Sequence, residues 1–286
     1  AGHFWMLAPI LQSGNTEIGH GSYVQVANNL WSERLSLARV SPDRRCVLRS
    51  EAPLGDYDKE KCLEIHSGNK ILIIGDSLAL EAYIMLSQVF DPNRLVLAGS
   101  SGCAPMFPQP EDKRRSQGCR DFTDERFDWT DRPDIDAIVV TSNWQWWNAR
   151  VIASTFDRLA RTGKPIIVIG VRPRYSNSIP KLLDSAAWRV ARDDLSSYLS
   201  FSMNDRAAEI KSTLKRQPST FYYLPIENYL CPDKCPGIHN DGTLIYLDQI
   251  HITGRTAVHL GAQILQKEGS SLRAFVDRRR QAVTSH

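Results

Sequence analysis

No run of apolar residues in this sequence approaches the roughly 18 that a membrane-spanning helix needs, so no segment reads as crossing a bilayer. An excess of one charge is missing too. The 35 Lys and Arg against 32 Asp and Glu leave a net charge of +3, too even for nucleic acid or an anionic membrane as the main partner. Collagen-like periods, heptad arrays and solenoid repeats are absent, which excludes fibrous and repeat architectures. There is neither a G-x-G-x-x-G nor a Walker A loop, so nucleotide-dependent chemistry is set aside. Asn-x-Ser/Thr sequons are absent as well, in keeping with a bacterial periplasmic setting. What remains is a chain of 286 residues, 42% hydrophobic and 23% charged, ample for a buried core and far from the composition of disorder.

The chain begins Ala1-Gly2-His3 without an initiator Met, which reads as a cleaved tag or the edge of a longer protein. The apolar stretch from Phe4 to Leu11 lacks a basic flank and a small-residue cleavage site, and it is too short for a signal peptide. It reads as a packed N-terminal segment, with the tail of a truncated membrane helix as the sharper alternative. The six cysteines fall as near-neighbour pairs: Cys46 and Cys62, Cys103 and Cys119, Cys231 and Cys235. An even count with local pairing suits disulfides in an oxidising compartment, although spacing alone leaves other connectivities open. Cys231, Cys235, His239 and His251 could also be written as a zinc site. Their spacing departs from the usual knuckle and His251 is needed elsewhere, so no metal is expected.

Short β-branched or apolar runs bounded by turn signals read as buried parallel strands: Lys70–Ile74, Arg94–Ala98, Ile135–Thr141, Pro165–Val171 and Thr220–Leu224. Helical patterns lie between them, at Leu78–Phe90, Arg150–Thr162, near Leu182–Leu199, at Met203–Arg216 and over about Gly254–Gln266. This alternation predicts an α/β fold, a doubly wound three-layer α/β/α sandwich around a parallel sheet of about five strands. Residues 1–45 stand outside it as an extension packed on the domain, with a helical pattern over Asn28–Val40. The main domain spans 46–268. Residues 269–286, with Arg278-Arg279-Arg280, read as a polar, basic, solvated tail.

Ligands in such folds sit at the carboxyl ends of the strands, and the chemistry-bearing residues gather there. In Ile73-Ile74-Gly75-Asp76-Ser77-Leu78 an apolar strand ends in Gly-Asp-Ser and a helix follows, which sets the Ser77 hydroxyl near free N–H groups at a helix start. The plainer alternative is that Ser77 only caps the helix. A nucleophilic serine needs a base, and the base an orienting group. Asp248-Gln249-Ile250-His251 supplies both at a spacing of three, which on one helical turn puts them on the same face. His259 lies inside the last helix, and His3, His20, His66 and His286 have no such partner. Gly102 follows the second strand and Asn143 the third, where a backbone N–H and a side-chain amide would reach an oxyanion. Trp144, Trp146 and Trp147 crowd the third strand end, and read either as a sugar-stacking platform or as filling under the loop. Arg172 and Arg174, after the fourth strand, would meet an acidic glycan or a membrane partner unless they are simply solvated.

Gly75-Asp76-Ser77-Leu78 spells the GDSL motif, and over about residues 46–266 the chain resembles the SGNH hydrolase superfamily. Within it, the sequence is similar to the periplasmic SGNH domains fused to acyltransferase family 3 membrane proteins, which O-acetylate bacterial surface polysaccharides such as lipopolysaccharide O-antigen. The likeness rests on the Cys46…Cys62 pair, Ser-Gly-Cys-Ala-Pro after the second strand, Trp144, Leu230-Cys231…Cys235-Pro236, and Asp248-x-x-His251-Ile252-Thr253. It implies the SGNH hydrolase fold, with Ser77 as nucleophile, His251 as base then acid, Asp248 as its orienter, and Ser77 N–H, Gly102 and Asn143 as oxyanion donors. The family's Gly-x-Asn-Asp block is not intact here, since the segment reads Thr141-Ser142-Asn143-Trp144.

The resemblance further implies an O-acetyltransferase domain passing an acetyl group through an acyl-serine to a glycan hydroxyl. Its implied partners are the glycan acceptor and a covalently linked membrane acyltransferase domain of a bacterial inner-membrane protein. That membrane domain would deliver acetyl from acetyl-CoA, so this domain needs no cofactor of its own. A monomer is the default expectation for the isolated domain. The rival readings are a stand-alone carbohydrate acetylesterase and a non-catalytic glycan-binding module.

Overall fold

The apolar runs assemble into a six-stranded, all-parallel sheet in a computed structural model that describes residues 22–37, 46–64, 69–109, 115–185, 192–216 and 219–283. The strands are β1 (Val47–Leu48), β2 (Lys70–Gly75), β3 (Leu95–Ser100), β4 (Ile135–Thr141), β5 (Ile166–Ile169) and β6 (Phe221–Leu224), in the order β1-β3-β2-β4-β5-β6. Five of them match the expected runs. The sixth, β1, pairs Val47 with Gly99 and Leu48 with Ser100; two residues carry too little periodicity to be seen in a sequence.

Helices cover both faces: α1 (Tyr23–Leu37), α2 (Ala79–Leu86), α3 (Gln117–Thr130), α4 (Ala149–Ala160), α5 (Ile179–Leu183), α6 (Met203–Leu214), α7 (Glu227–Leu230) and α8 (Gly254–Val283). Because both faces are covered, β2 is buried along its whole length, and Ile71 to Ile74 form the centre of the core. Helix α2 packs on α8, and α1 lies across α2, α5 and α8; α4 packs with α6.

Two expectations are corrected. The solvated tail from residue 269 is instead a continuation of α8, because Leu272, Phe275 and Val276 recur at helical spacing and are buried. The single helical stretch near Leu182–Leu199 breaks up. Helix α5 ends at Leu183, residues 186–191 lie outside the described residues, and Asp194 accepts the Ser196 N–H and hydroxyl to form a turn at Ser196–Tyr198. The Phe4–Leu11 segment also lies outside the described residues. Among those described, no helix is long and apolar enough to cross a membrane.

Candidate active site

Strand β2 leads to β3 on one side and β4 leads to β5 on the other, so the loops after β2 and β4 leave in opposite directions and open a crevice at their carboxyl ends. The Gly75-Asp76-Ser77 turn occupies that point. Gly75 is required there: a Cβ would stand 2.6 Å from the Thr141 carbonyl oxygen of β4. The buried Asp76 carboxylate accepts the Leu78 N–H at 3.0 Å, the Asn143 N–H at 2.7 Å and the Ser142 hydroxyl at 2.8 Å, which staples the turn to the end of β4. Helix α2 begins at Ala79 with Leu78 at its cap, so Ser77 is not the capping residue.

A second clamp comes from α3. Arg126, fully buried, donates to the Gly75 carbonyl at 2.6 Å, the Cys103 carbonyl at 3.1 Å and the Thr123 hydroxyl at 2.9 Å. It therefore joins the turn that carries Ser77 to the loop that carries Gly102. Burial pulls the guanidinium below its ordinary pKa and Arg115 pushes the same way, while the Asp76 carboxylate opposes both. Sequence reading missed this residue. The available signal was an arginine on the apolar stripe of a helix, between Phe122 and Trp129.

The histidine arrives on an irregular loop. His251 Nε2 lies 2.7 Å from Ser77 Oγ, and its Nδ1 lies 2.7 Å from Asp248 Oδ2. With the proton on Nδ1 facing the carboxylate, Nε2 is left to accept the serine hydroxyl. The expected helical turn is absent. Instead Asp248 Oδ1 accepts the N–H groups of Ile250 at 2.7 Å and His251 at 2.8 Å, and Leu247 N–H bonds the His251 carbonyl at 2.7 Å. A spacing of three suits such an Asp-led turn as well as a helix, and a short polar side chain prefers the turn. Burial raises the Asp248 pKa, but the His251 hydrogen bond, the His251 charge and the two backbone N–H groups outweigh it, so the carboxyl ends below its ordinary value.

Ser77, His251, Gly102 and Asn143 all line one cleft of about 810 Å³. Gly102 has φ +69°, a conformation glycine adopts without strain, at the loop after β3. Arg174 and Trp147 are also on the cleft wall. Trp144 is not a sugar platform: at 1% exposure it donates its indole N–H to the Ile169 carbonyl and packs on Phe156. Trp147 is equally buried and donates to Ser142 Oγ at 3.1 Å. The Trp146 side chain lies outside what the structure describes. Arg172 does not face the cleft either; it is 3% exposed and donates to the buried Glu81 carboxylate of α2.

The cysteines pair as Cys46–Cys62, Cys103–Cys119 and Cys231–Cys235. The last bridge removes both sulfurs from any zinc site, and among the described residues no cluster of three His, Cys, Asp or Glu suits a metal ion. One further contact was unforeseen: Trp31 of α1 stands edge-on to the His251 ring, centroids 5.2 Å apart.

The family described as an SGNH domain fused to AT3 domains matches residues 44–266, and the chain belongs to that family. No curated protein matches it. Among solved structures it is similar to the lipopolysaccharide acetyltransferase periplasmic domain of Salmonella ser. Paratyphi A, with 17% identity and a TM-score of 0.65 over 86% of this chain and 99% of that one. It also aligns with the C-terminal catalytic domain of Streptococcus pneumoniae peptidoglycan O-acetyltransferase A, solved with a methylsulfonyl adduct. That match has 10% identity and a TM-score of 0.38, over 72% of this chain and 95% of that one.

Proposed function

Starting from membership of this family, we propose that the chain transfers an acetyl group through an acyl-serine to a hydroxyl of a bacterial surface glycan. The observation that carries this reading is the unbroken hydrogen-bonded series from Asp248 through His251 to Ser77 at the floor of an open cleft. His251 takes the Ser77 proton as Oγ attacks the acetyl carbonyl, and Asp248 holds the imidazole in the required tautomer. The Ser77 and Gly102 N–H groups and the Asn143 amide stabilise the oxyanion. The donor leaves with the proton from His251, and His251 then activates the acceptor hydroxyl.

The family's fusion to AT3 domains supports a linked membrane acyltransferase that supplies acetyl from cytoplasmic acetyl-CoA, with this domain using no cofactor of its own. Three disulfides support a place outside the cytoplasm, in the periplasm. The test is incubation of the protein with an activated acetyl ester and bacterial oligosaccharides, following acetylated glycan and free acetate by mass spectrometry. Ser77→Ala is expected to lower the rate by several orders of magnitude. Retention of most activity in that variant sinks the nucleophile assignment; Ser77-dependent release of acetate with no glycan product favours an esterase.

A further inference from the structure

Helix α1 precedes residue 44, where the family match begins, yet its Trp31 contacts the His251 ring. Its N-terminus is tied down from outside: the Asp184 carboxylate, at the end of α5, accepts the Tyr23 N–H at 2.7 Å, the Val24 N–H at 3.1 Å and the Ser22 hydroxyl. Docked in this way, α1 holds Trp31 against the His251 imidazole, the two rings inclined at 62°. Among the described residues three large apolar side chains are exposed, Trp31, Phe107 and Leu265, and Trp31 is 39% exposed beside the candidate base. Trp144 and Trp147, which read in the sequence as either a sugar platform or filling under the loop, are buried with their indole N–H groups already bonded.

We propose that Trp31 forms the acceptor-sugar subsite, so that a helix from outside the SGNH domain selects a pyranose hydroxyl over water. This rests on the acyl-serine reading above. In the second half-reaction the acceptor oxygen attacks the acetyl carbonyl carbon while His251 Nε2 takes the hydroxyl proton. The tetrahedral intermediate then collapses, the carbonyl carbon to Ser77 Oγ bond breaks, and His251 returns the proton to Oγ. Water follows the same course and yields acetate. Which acceptor wins depends on which oxygen is held at Nε2. A pyranose has an apolar C–H face with hydroxyls at its edge, and an indole beside the base gives that face a surface to stack on. A small alcohol has no such face and gains nothing from the ring.

The experiment measures partition of the acetyl group. The protein is charged with p-nitrophenyl acetate in the presence of methyl glucoside or of ethanol, and the acetylated products and free acetate are quantified for the native protein, Trp31→Ala and Trp31→Phe. The native protein is expected to prefer the glucoside over ethanol per mole of hydroxyl. Trp31→Ala is expected to lower that glucoside-to-ethanol ratio on the order of fivefold to tenfold, and Trp31→Phe to restore most of it. A purely structural effect on His251 would depress both acceptors alike and leave the ratio unchanged, which overturns the proposal, as does a native protein with no preference. Absence of any Ser77-dependent acyl-enzyme sinks the underlying reading together with this one; acyl-enzyme with an unchanged ratio sinks this one alone.

Discussion

The turn that carries Ser77 and the loop that carries His251 meet at a 2.7 Å hydrogen bond, but they are built on different principles. The turn is the end of a fully buried central strand, and its orientation is fixed by contacts from two neighbouring elements: the end of β4, through Thr141 close against Gly75 and Ser142 and Asn143 beyond it, and α3, through Arg126. The loop belongs to no helix or strand. It is held by its own Asp248 carboxylate, by the Leu247–His251 backbone bond, by an isolated bridge between Tyr246 and Ile252, by the Tyr175 and Ile179 N–H groups on the Gln249 and Asp248 carbonyls, and by Trp31 at its side. The Ser77 turn is thus positioned by contacts from neighbouring elements, whereas the His251 side chain is oriented mainly by hydrogen bonds within its own loop. Damage to the first should appear mainly as lost stability, and damage to the second mainly as lost rate.

Asp248→Asn attacks the loop and has the largest expected effect of the remaining tests. An amide still accepts the Ile250 and His251 N–H groups but no longer selects the tautomer that frees Nε2. Initial rates on an activated ester should fall on the order of 10³–10⁴-fold, with a melting shift of only a few degrees. A loss of stability as large as the loss of rate would break the contrast between the two regions.

Arg126→Met is the reverse case. It leaves the Gly75 and Cys103 carbonyls without their buried donor and takes a positive charge away from Asp76, at a cost of about 2–4 kcal/mol in urea unfolding. Wild-type stability in this variant would show that the turn does not depend on the clamp.

Legibility in the sequence follows the same division. The turn was readable because an apolar run, a Gly-Asp-Ser end and a following helix are all local signals. So were Asp248 and His251 as a pair, although their spacing of three fitted two geometries and the helical one was expected. Arg126 and Trp31 were not readable as parts of the site. Each acts across a tertiary contact, one from α3 and one from a helix before the domain, and nothing near them in the chain names their targets. Arg172 was misplaced for a related reason. Its position after a strand suggested the surface, whereas a buried Glu81 on α2 draws it inside. The continuation of α8 is a different kind of miss, since Leu272, Phe275 and Val276 carried the helical period in plain view and the neighbouring arginines masked it.

The attachment of α1 that brings Trp31 to His251 is centred on one carboxylate, Asp184, and pH probes it. Burial raises the Asp184 pKa, but the Ser22 hydroxyl and the Tyr23 and Val24 N–H groups outweigh it, so its carboxyl lies below the ordinary value. A depressed pKa in the docked state means that the contribution to docking is complete above the undocked value, about 3.9 for Asp, and is lost as pH falls through the docked value. Asp184→Ala removes it at every pH. As a capping interaction near the surface it is worth about 1 kcal/mol. Amide exchange across Tyr23–Leu37 should therefore accelerate by about fivefold in Asp184→Ala at neutral pH, and in the native protein under acid, once intrinsic exchange is corrected for. Exchange in β2 should not follow. Equal acceleration in β2 would mean that α1 and the sheet open together, and that the local attachment of the histidine side is part of the global fold after all.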